Sequence, residues 1–176
     1  MTTKTNTKKG FTIIESLVAI TILVISIVGA ASAIQTGISS YIFSKDQIIA
    51  FYLAQGGFEQ IRNIRDENSL TGEDWLTGLA SVSGDPCYFG QSCIVDPVNT
   101  NQATRCDAPG ECPVIRQENG TGFFGYDASW TPTIFTREIS LSSINDHEVA
   151  ITVTVSWSKG AISREFRARE NILNWQ

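Results

Sequence analysis

Apolar and polar positions are divided unevenly along this chain. From Ile13 to Ile34 the residues are almost all Ile, Leu, Val, Ala, Ser and Thr, and Glu15 is the only charge among them. A run of that length forms a helix able to cross a hydrocarbon layer about 30 Å thick. Beyond Ile34 the pattern becomes one-sided. Ile42, Ile49, Leu53, Gly57, Ile61 and Ile64 recur at helical spacing, while Ser44, Asp46, Gln47, Gln55, Glu59 and Arg62 mostly take the other faces. No proline occurs between Ile34 and Pro86. The pattern predicts one near-continuous helix from Thr12 to Arg65, with Gly29, Gly37 and the Gly56-Gly57 pair as its weak points. Close packing against another helix or local unwinding would account for Gly29 and Gly37.

The C-terminal third alternates with a period of two. Thr133, Phe135, Arg137, Ile139 and Leu141 share one strand face, and residues 142–147 read as a polar turn. Val149, Ile151, Val153, Val155 and Trp157 then alternate with Ala150, Thr152, Thr154 and Ser156, the mark of a half-buried strand. Ser158-Lys159-Gly160 predicts a hairpin turn, and Ile162, Arg164, Phe166 and Ala168 form the returning face. Ile172, Leu173 and Trp175 read as a short apolar cap. An apolar sheet face needs cover, and the stripe from Ile42 to Ile64 is the natural cover. The fold class is therefore α+β: a long N-terminal helix, transmembrane in its first half, packed on a C-terminal antiparallel β-sheet.

Between these regions the signals weaken. Asp66 to Thr77 reads as a helix exit followed by a turn, with Trp75, Leu76 and Leu79 tucked against the helix. Residues 81–119 contain Pro86, Pro97, Pro109 and Pro113 and read as a long loop, a length that is usually functional or stapled. Staples are at hand, since Cys87, Cys93, Cys106 and Cys112 all fall there. Four cysteines allow three pairings, of which Cys87–Cys93 with Cys106–Cys112 is favoured. A four-thiolate zinc site is the rival, but both close pairs have five residues between them, which is wider than the usual zinc spacing.

Charge changes the picture at the N-terminus. The chain carries 13 basic and 18 acidic residues for a net charge of -5, and Lys4, Lys8 and Lys9 precede the apolar run. That bias places the N-terminus in the cytoplasm and the rest of the chain outside. The acidic remainder gives no overall attraction to nucleic acid. A plain signal anchor, or a signal cleaved near Ala31-Ser32-Ala33, would explain the apolar run alone. Glu15 is not explained so simply, because a carboxylate inside a membrane span is expensive unless it is paired.

Candidate chemistry is sparse. His147, the only histidine, falls in a turn. Asp66-Glu67 and Glu73-Asp74 read as solvated loop charges. Asp107, Glu111 and Glu118 lack the dense acidic spacing of a calcium loop. No catalytic residue, metal site or cofactor is expected. Phe123, Phe124, Tyr126 and Trp130 read as a buried domain edge, with an adhesive surface as the alternative.

Lys8-Lys9-Gly10-Phe11-Thr12-Ile13-Ile14-Glu15 and the apolar helix after it closely resemble the N-terminal signature of type IV prepilins and their type II secretion relatives, the pseudopilins. The resemblance implies that a prepilin peptidase cuts between Gly10 and Phe11 and methylates the new amine of Phe11. It also implies that Glu15 meets the amine of a neighbour's Phe11 in an assembled filament. The segment Leu53 to Asp66 is similar to the helix end of minor pilins, where Glu is more usual at the position of Gly56. The Trp157 and Asn174-Trp175 ending resembles the same group more weakly. This chain lacks the mid-helix proline of many major pilins.

The organisation expected on this basis is a cleaved leader (1–10), a filament-core helix (11–35), an amphipathic continuation (36–66) and a globular head (67–176) with its sheet at 133–170. The implied partners are other pilin subunits, the peptidase, a membrane platform with its assembly ATPase, and the membrane itself. The implied location is the inner or cytoplasmic membrane as a single-pass precursor, then the extracellular filament. A secretion pseudopilin and a monomeric membrane-anchored binding module are the alternatives.

Overall fold

A computed structural model gives the structure of residues 10–98 and 102–174. The basic leader up to Lys9, residues 99–101, Trp175 and Gln176 lie outside the described residues. The chain divides into two compact units, one ending at Lys45 and the other beginning at Asp46. Helix α1, Ile13–Thr71, contributes residues to both.

In the first unit α1 is a bare apolar helix. It runs unbroken through Gly29 and Gly37, and a Cβ added at either glycine would meet nothing within 4 Å. Three hydroxyls in this stretch return to their own backbone: Thr21 Oγ1 donates to the Val18 carbonyl and Ser26 Oγ to that of Ile22, both at 2.8 Å, and Thr36 Oγ1 to that of Ser32 at 3.0 Å. These hydroxyls are thereby satisfied without water, which is what an apolar medium demands.

The second unit is the α+β domain. Ala50, Leu53, Ala54, Gly57, Phe58, Ile61 and Ile64 form the buried face of α1. Against it lies a seven-stranded sheet, antiparallel at every pairing, made of β1 (Ser92–Val95), β2 (Ala103–Arg105), β3 (Val114–Gln117), β4 (Phe124–Gly125), β5 (Thr131–Asn145), β6 (Glu148–Lys159) and β7 (Ile162–Leu173). The long strands β5, β6 and β7 form a meander. The far side of β5 is shared: β1 pairs with it at Ile139 and Ser140, and β3 pairs with it from Thr131 to Thr136. The alternation in β5 and β6 is the one expected except at Ala150, which is buried as well; Phe135, Arg137, Ile139 and Leu141 are buried together with Val149, Ile151, Val153, Val155 and Trp157. These residues, the helix face and Trp75, Leu76 and Leu79 make a single core.

Several boundaries differ from the sequence reading. Helix α1 does not leave at Arg65 but continues to Thr71, where Gly72 at φ 78° ends it. The Glu73 amide donates to the Asn68 carbonyl at 2.9 Å and the Gly72 amide to that of Ser69, a Schellman closure that only a glycine accommodates without strain. The polar turn expected over 142–147 shrinks to Asp146-His147, because β5 and β6 keep pairing as far as Asn145 and Glu148. Residues 81–119 are not one loop, since β1, β2 and β3 add to the sheet there. On β7, Ile162 and Arg164 are exposed, and burial on that face starts only at the half-buried Phe166 and Ala168, as an edge strand allows. Ile172 and Leu173 are not a separate cap; Ile172 pairs with Val149 inside the sheet.

Candidate functional site

Gly10 and Phe11 are exposed and stand just before α1. Thr12 starts the helix: its Oγ1 accepts a hydrogen bond from the Glu15 amide at 3.3 Å, and its carbonyl accepts from Ser16 at 3.1 Å. Thr12 is thus the N-cap, and Glu15 falls three residues on, in the first turn, where the helix dipole favours a negative charge. This arrangement is half of a capping box, and the sequence reading passed over the Thr-x-x-Glu spacing that announces it. Glu15 therefore stands at the mouth of the helix with its side chain exposed, one turn from Phe11.

The helix behind Glu15 presents a continuous apolar exterior. Ile13, Leu17, Ile20, Leu23 and Ile27 are all more than half exposed. The most apolar 18-residue window of α1 has a mean hydropathy of 2.6, and none of it is buried within the chain. Exposed apolar surface on this scale needs a lipid or protein partner.

Residues 5–31 match the family model of the prokaryotic N-terminal methylation motif. The chain carries a prepilin-type signal. Such a signal implies processing by prepilin peptidase and assembly with other pilins, and together with the apolar helix it fits a membrane-anchored precursor. No curated protein and no solved structure matches the chain. Within the prepilin-type match, Gly10, Phe11 and Glu15 fall inside the matched residues, whereas the head from Asp46 onward lies outside it.

The other candidates are placed as follows. Cys87 and Cys93 form one disulfide and Cys106 and Cys112 another. The first lies in the main core, and the second packs with Ile94 in a satellite cluster. His147 sits in the two-residue turn, exposed, with its carbonyl accepting from Asn174 at 2.8 Å. Asp66 pairs with Arg65 at 2.6 Å, and Asp74 accepts from the Leu76 amide at 2.9 Å. Among the described residues no group of His, Cys, Asp and Glu is arranged to hold a metal ion. Phe124, Tyr126 and Trp130 are at least half covered, while Phe123 is exposed.

One buried polar cluster was not foreseen. Arg137, predicted only as an inward position on β5, is 4% exposed. Its guanidinium donates to the carbonyls of Leu53 at 3.2 Å and Val95 at 2.8 Å, and to Gln60 Oε1 at 2.9 Å. The guanidinium also lies 5.9 Å from the Tyr126 ring centroid. Burial pushes the Tyr126 hydroxyl above the ordinary tyrosine range, against the opposing pull of Arg137. The cluster ties α1 to β1 and β5, and its job is to hold the head together.

Proposed function

We propose that this chain is a structural subunit of a type IV pilus, most like a minor pilin, polymerising through α1. The observation that carries the reading is the methylation-motif match over residues 5–31 in front of an apolar helix with no cover of its own. In this reading prepilin peptidase removes residues 1–10 and methylates Phe11. Gly10 serves the cut because a residue without a side chain leaves the backbone open to the peptidase. A membrane platform and its ATPase then draw the subunit from the membrane into the filament.

Glu15 supplies the selectivity. Its carboxylate meets the cationic amine of a neighbour's Phe11 in apolar surroundings. Each charge offsets the desolvation of the other, and losing one leaves its partner buried alone at a cost of about 3–5 kcal/mol. Glutamine isolates the charge, because it keeps the size and polar reach of glutamate at the third helical position. Shearing filaments from cells expressing Glu15→Ala and Glu15→Gln, and blotting the filament and membrane fractions, tests the proposal. Both variants are expected to be cleaved and retained in the membrane, with little in filaments. Incorporation of Glu15→Gln at the wild-type level would show that charge pairing is not what admits the subunit.

A further inference from the structure

The turn between β3 and β4 sets an asparagine directly before a glycine. Asn119-Gly120 is the one Asn-Gly pair in the chain, and both residues are exposed. Two backbone hydrogen bonds close the turn around them. The Glu118 amide donates to the Phe123 carbonyl at 2.9 Å and the Gly122 amide to the Glu118 carbonyl at 3.2 Å, so neither uses the Gly120 amide. Gly120 has φ 109°, and a Cβ added to it would meet nothing within 4 Å. No side chain therefore stands between the Gly120 nitrogen and the asparagine before it. From the other side, Thr131 Oγ1 donates to Asn119 Oδ1 at 3.1 Å. That bond draws electron density from Cγ and supports the oxygen as it gains negative charge.

Other asparagines are held differently. Asn68, Asn145 and Asn171 precede Ser69, Asp146 and Ile172, whose side chains crowd the next nitrogen. They lie in α1, at the end of β5 and in β7. The Nδ2 of each is engaged, with the Thr77 carbonyl at 2.9 Å for Asn68 and with Glu148 at 3.2 and 2.9 Å for Asn145 and Asn171.

We propose that Asn119 is a self-modification site, converting to aspartate and isoaspartate through a cyclic imide formed with Gly120. The Gly120 nitrogen attacks Asn119 Cγ and a new N–C bond forms. The Cγ–Nδ2 bond breaks, and ammonia leaves with the proton from the Gly120 amide. Water then opens the imide, at the side-chain carbonyl to give aspartate or at the main-chain carbonyl to give isoaspartate. One water is consumed, one ammonia is released, and no oxidant or cofactor is needed. The product puts a new carboxylate beside Glu118 and lowers the formal net charge of -5 by one. Isoaspartate also adds a main-chain carbon to the turn between the paired Gln117 and Phe124. The inference stands apart from the pilus reading.

Peptide mapping of the full-length protein in detergent, before and after incubation at mildly alkaline pH, tests it. Trypsin releases the peptide from Gln117 to Arg137, in which Asn119 is the sole asparagine. Two new forms of that peptide are expected, each heavier by the exchange of an amide NH2 for OH at Asn119, eluting apart as aspartate and isoaspartate. Isoelectric focusing of the intact chain should show a matching acidic shift of one charge. Conversion should quicken as pH rises, because the attacking nitrogen must lose its proton, and should precede any at Asn68, Asn145 or Asn171. Asn119→Gln keeps an amide but would need a larger ring, so the shift should vanish. An unchanged peptide, aspartate as the sole product, or an equal acidic shift in Asn119→Gln overturns the proposal. Asn119-Gly120-Thr121 has the spacing of a sugar-acceptor sequence. A glycan on Asn119 in protein taken from cells overturns the proposal as well, because the amide nitrogen is then already bonded.

Discussion

Gly57 of α1 lies directly against Val153 of β6: a Cβ built on the glycine would stand 3.1 Å from Val153 Cγ1 and 3.3 Å from Arg137 Cδ. Neither neighbour has room to retreat, since Val153 is fully buried and Arg137 is fixed by its hydrogen bonds. Gly57 is therefore a point of close approach between helix and sheet, and a larger residue pushes them apart. The adjacent glycine is different. A Cβ on Gly56 would meet only Arg137 Nη1, at an ordinary 3.6 Å.

These two glycines should respond in opposite directions. Gly57→Ala is expected to destabilise the head by about 1–2 kcal/mol, as overpacking outweighs the gain in helix propensity. Gly56→Ala is expected to be neutral or to stabilise by up to about 1 kcal/mol. Urea unfolding of the full-length protein in detergent, followed by tryptophan fluorescence, compares them. Equal effects at both positions would rule out the close approach.

Arg137 is the second test of the core. Arg137→Ala leaves the Leu53 and Val95 carbonyls and Gln60 without their donor and opens a cavity, for an expected loss of about 3–5 kcal/mol. Arg137→Met keeps much of the volume and should lose less. An Arg137→Met variant as unstable as Arg137→Ala would show that the hydrogen bonds, not the packing of the side chain, dominate.

Tyr126 makes stability depend on pH at the alkaline end. Its hydroxyl is buried with no hydrogen-bond partner among the described residues, and burial raises its pKa in the folded state. The unfolded chain releases that proton near pH 10 while the folded chain retains it, so the contribution to stability is complete below about pH 10 and is lost as pH rises further. Tyr126→Phe should match wild type within about 1 kcal/mol at pH 7. Between pH 9 and 11 it should lose less stability than wild type. Parallel denaturation curves across that range would contradict the burial of the hydroxyl.

Much of this was legible because the signals are local. The apolar run, Glu15 at its head, and the alternation of β5 and β6 each follow from neighbouring residues. Where the reading went astray, distant residues decide. The partners of Arg137 lie 42 to 84 positions away along the chain. The Gly56-Gly57 pair looked like a weakness of the helix, and only the sheet reveals Gly57 as a point of contact. Strands β1, β2 and β3, of four, three and four residues, are too short to show alternation. Two local signals were still there to be read: Thr12 as the helix cap and Gly72 as its stop. The cysteine spacing left three pairings open, and the fold selects the two local ones by bringing Cys87 to Cys93 and Cys106 to Cys112.

The account depends most on the fate of the first ten residues, and intact mass spectrometry of the protein recovered from sheared filaments measures that directly. The expected mass is that of a chain beginning at Phe11 and carrying one added methyl group, with Gly10→Val accumulating in the membrane at full length. Full-length, unmethylated wild-type protein confined to the membrane of cells that are making filaments would contradict the account.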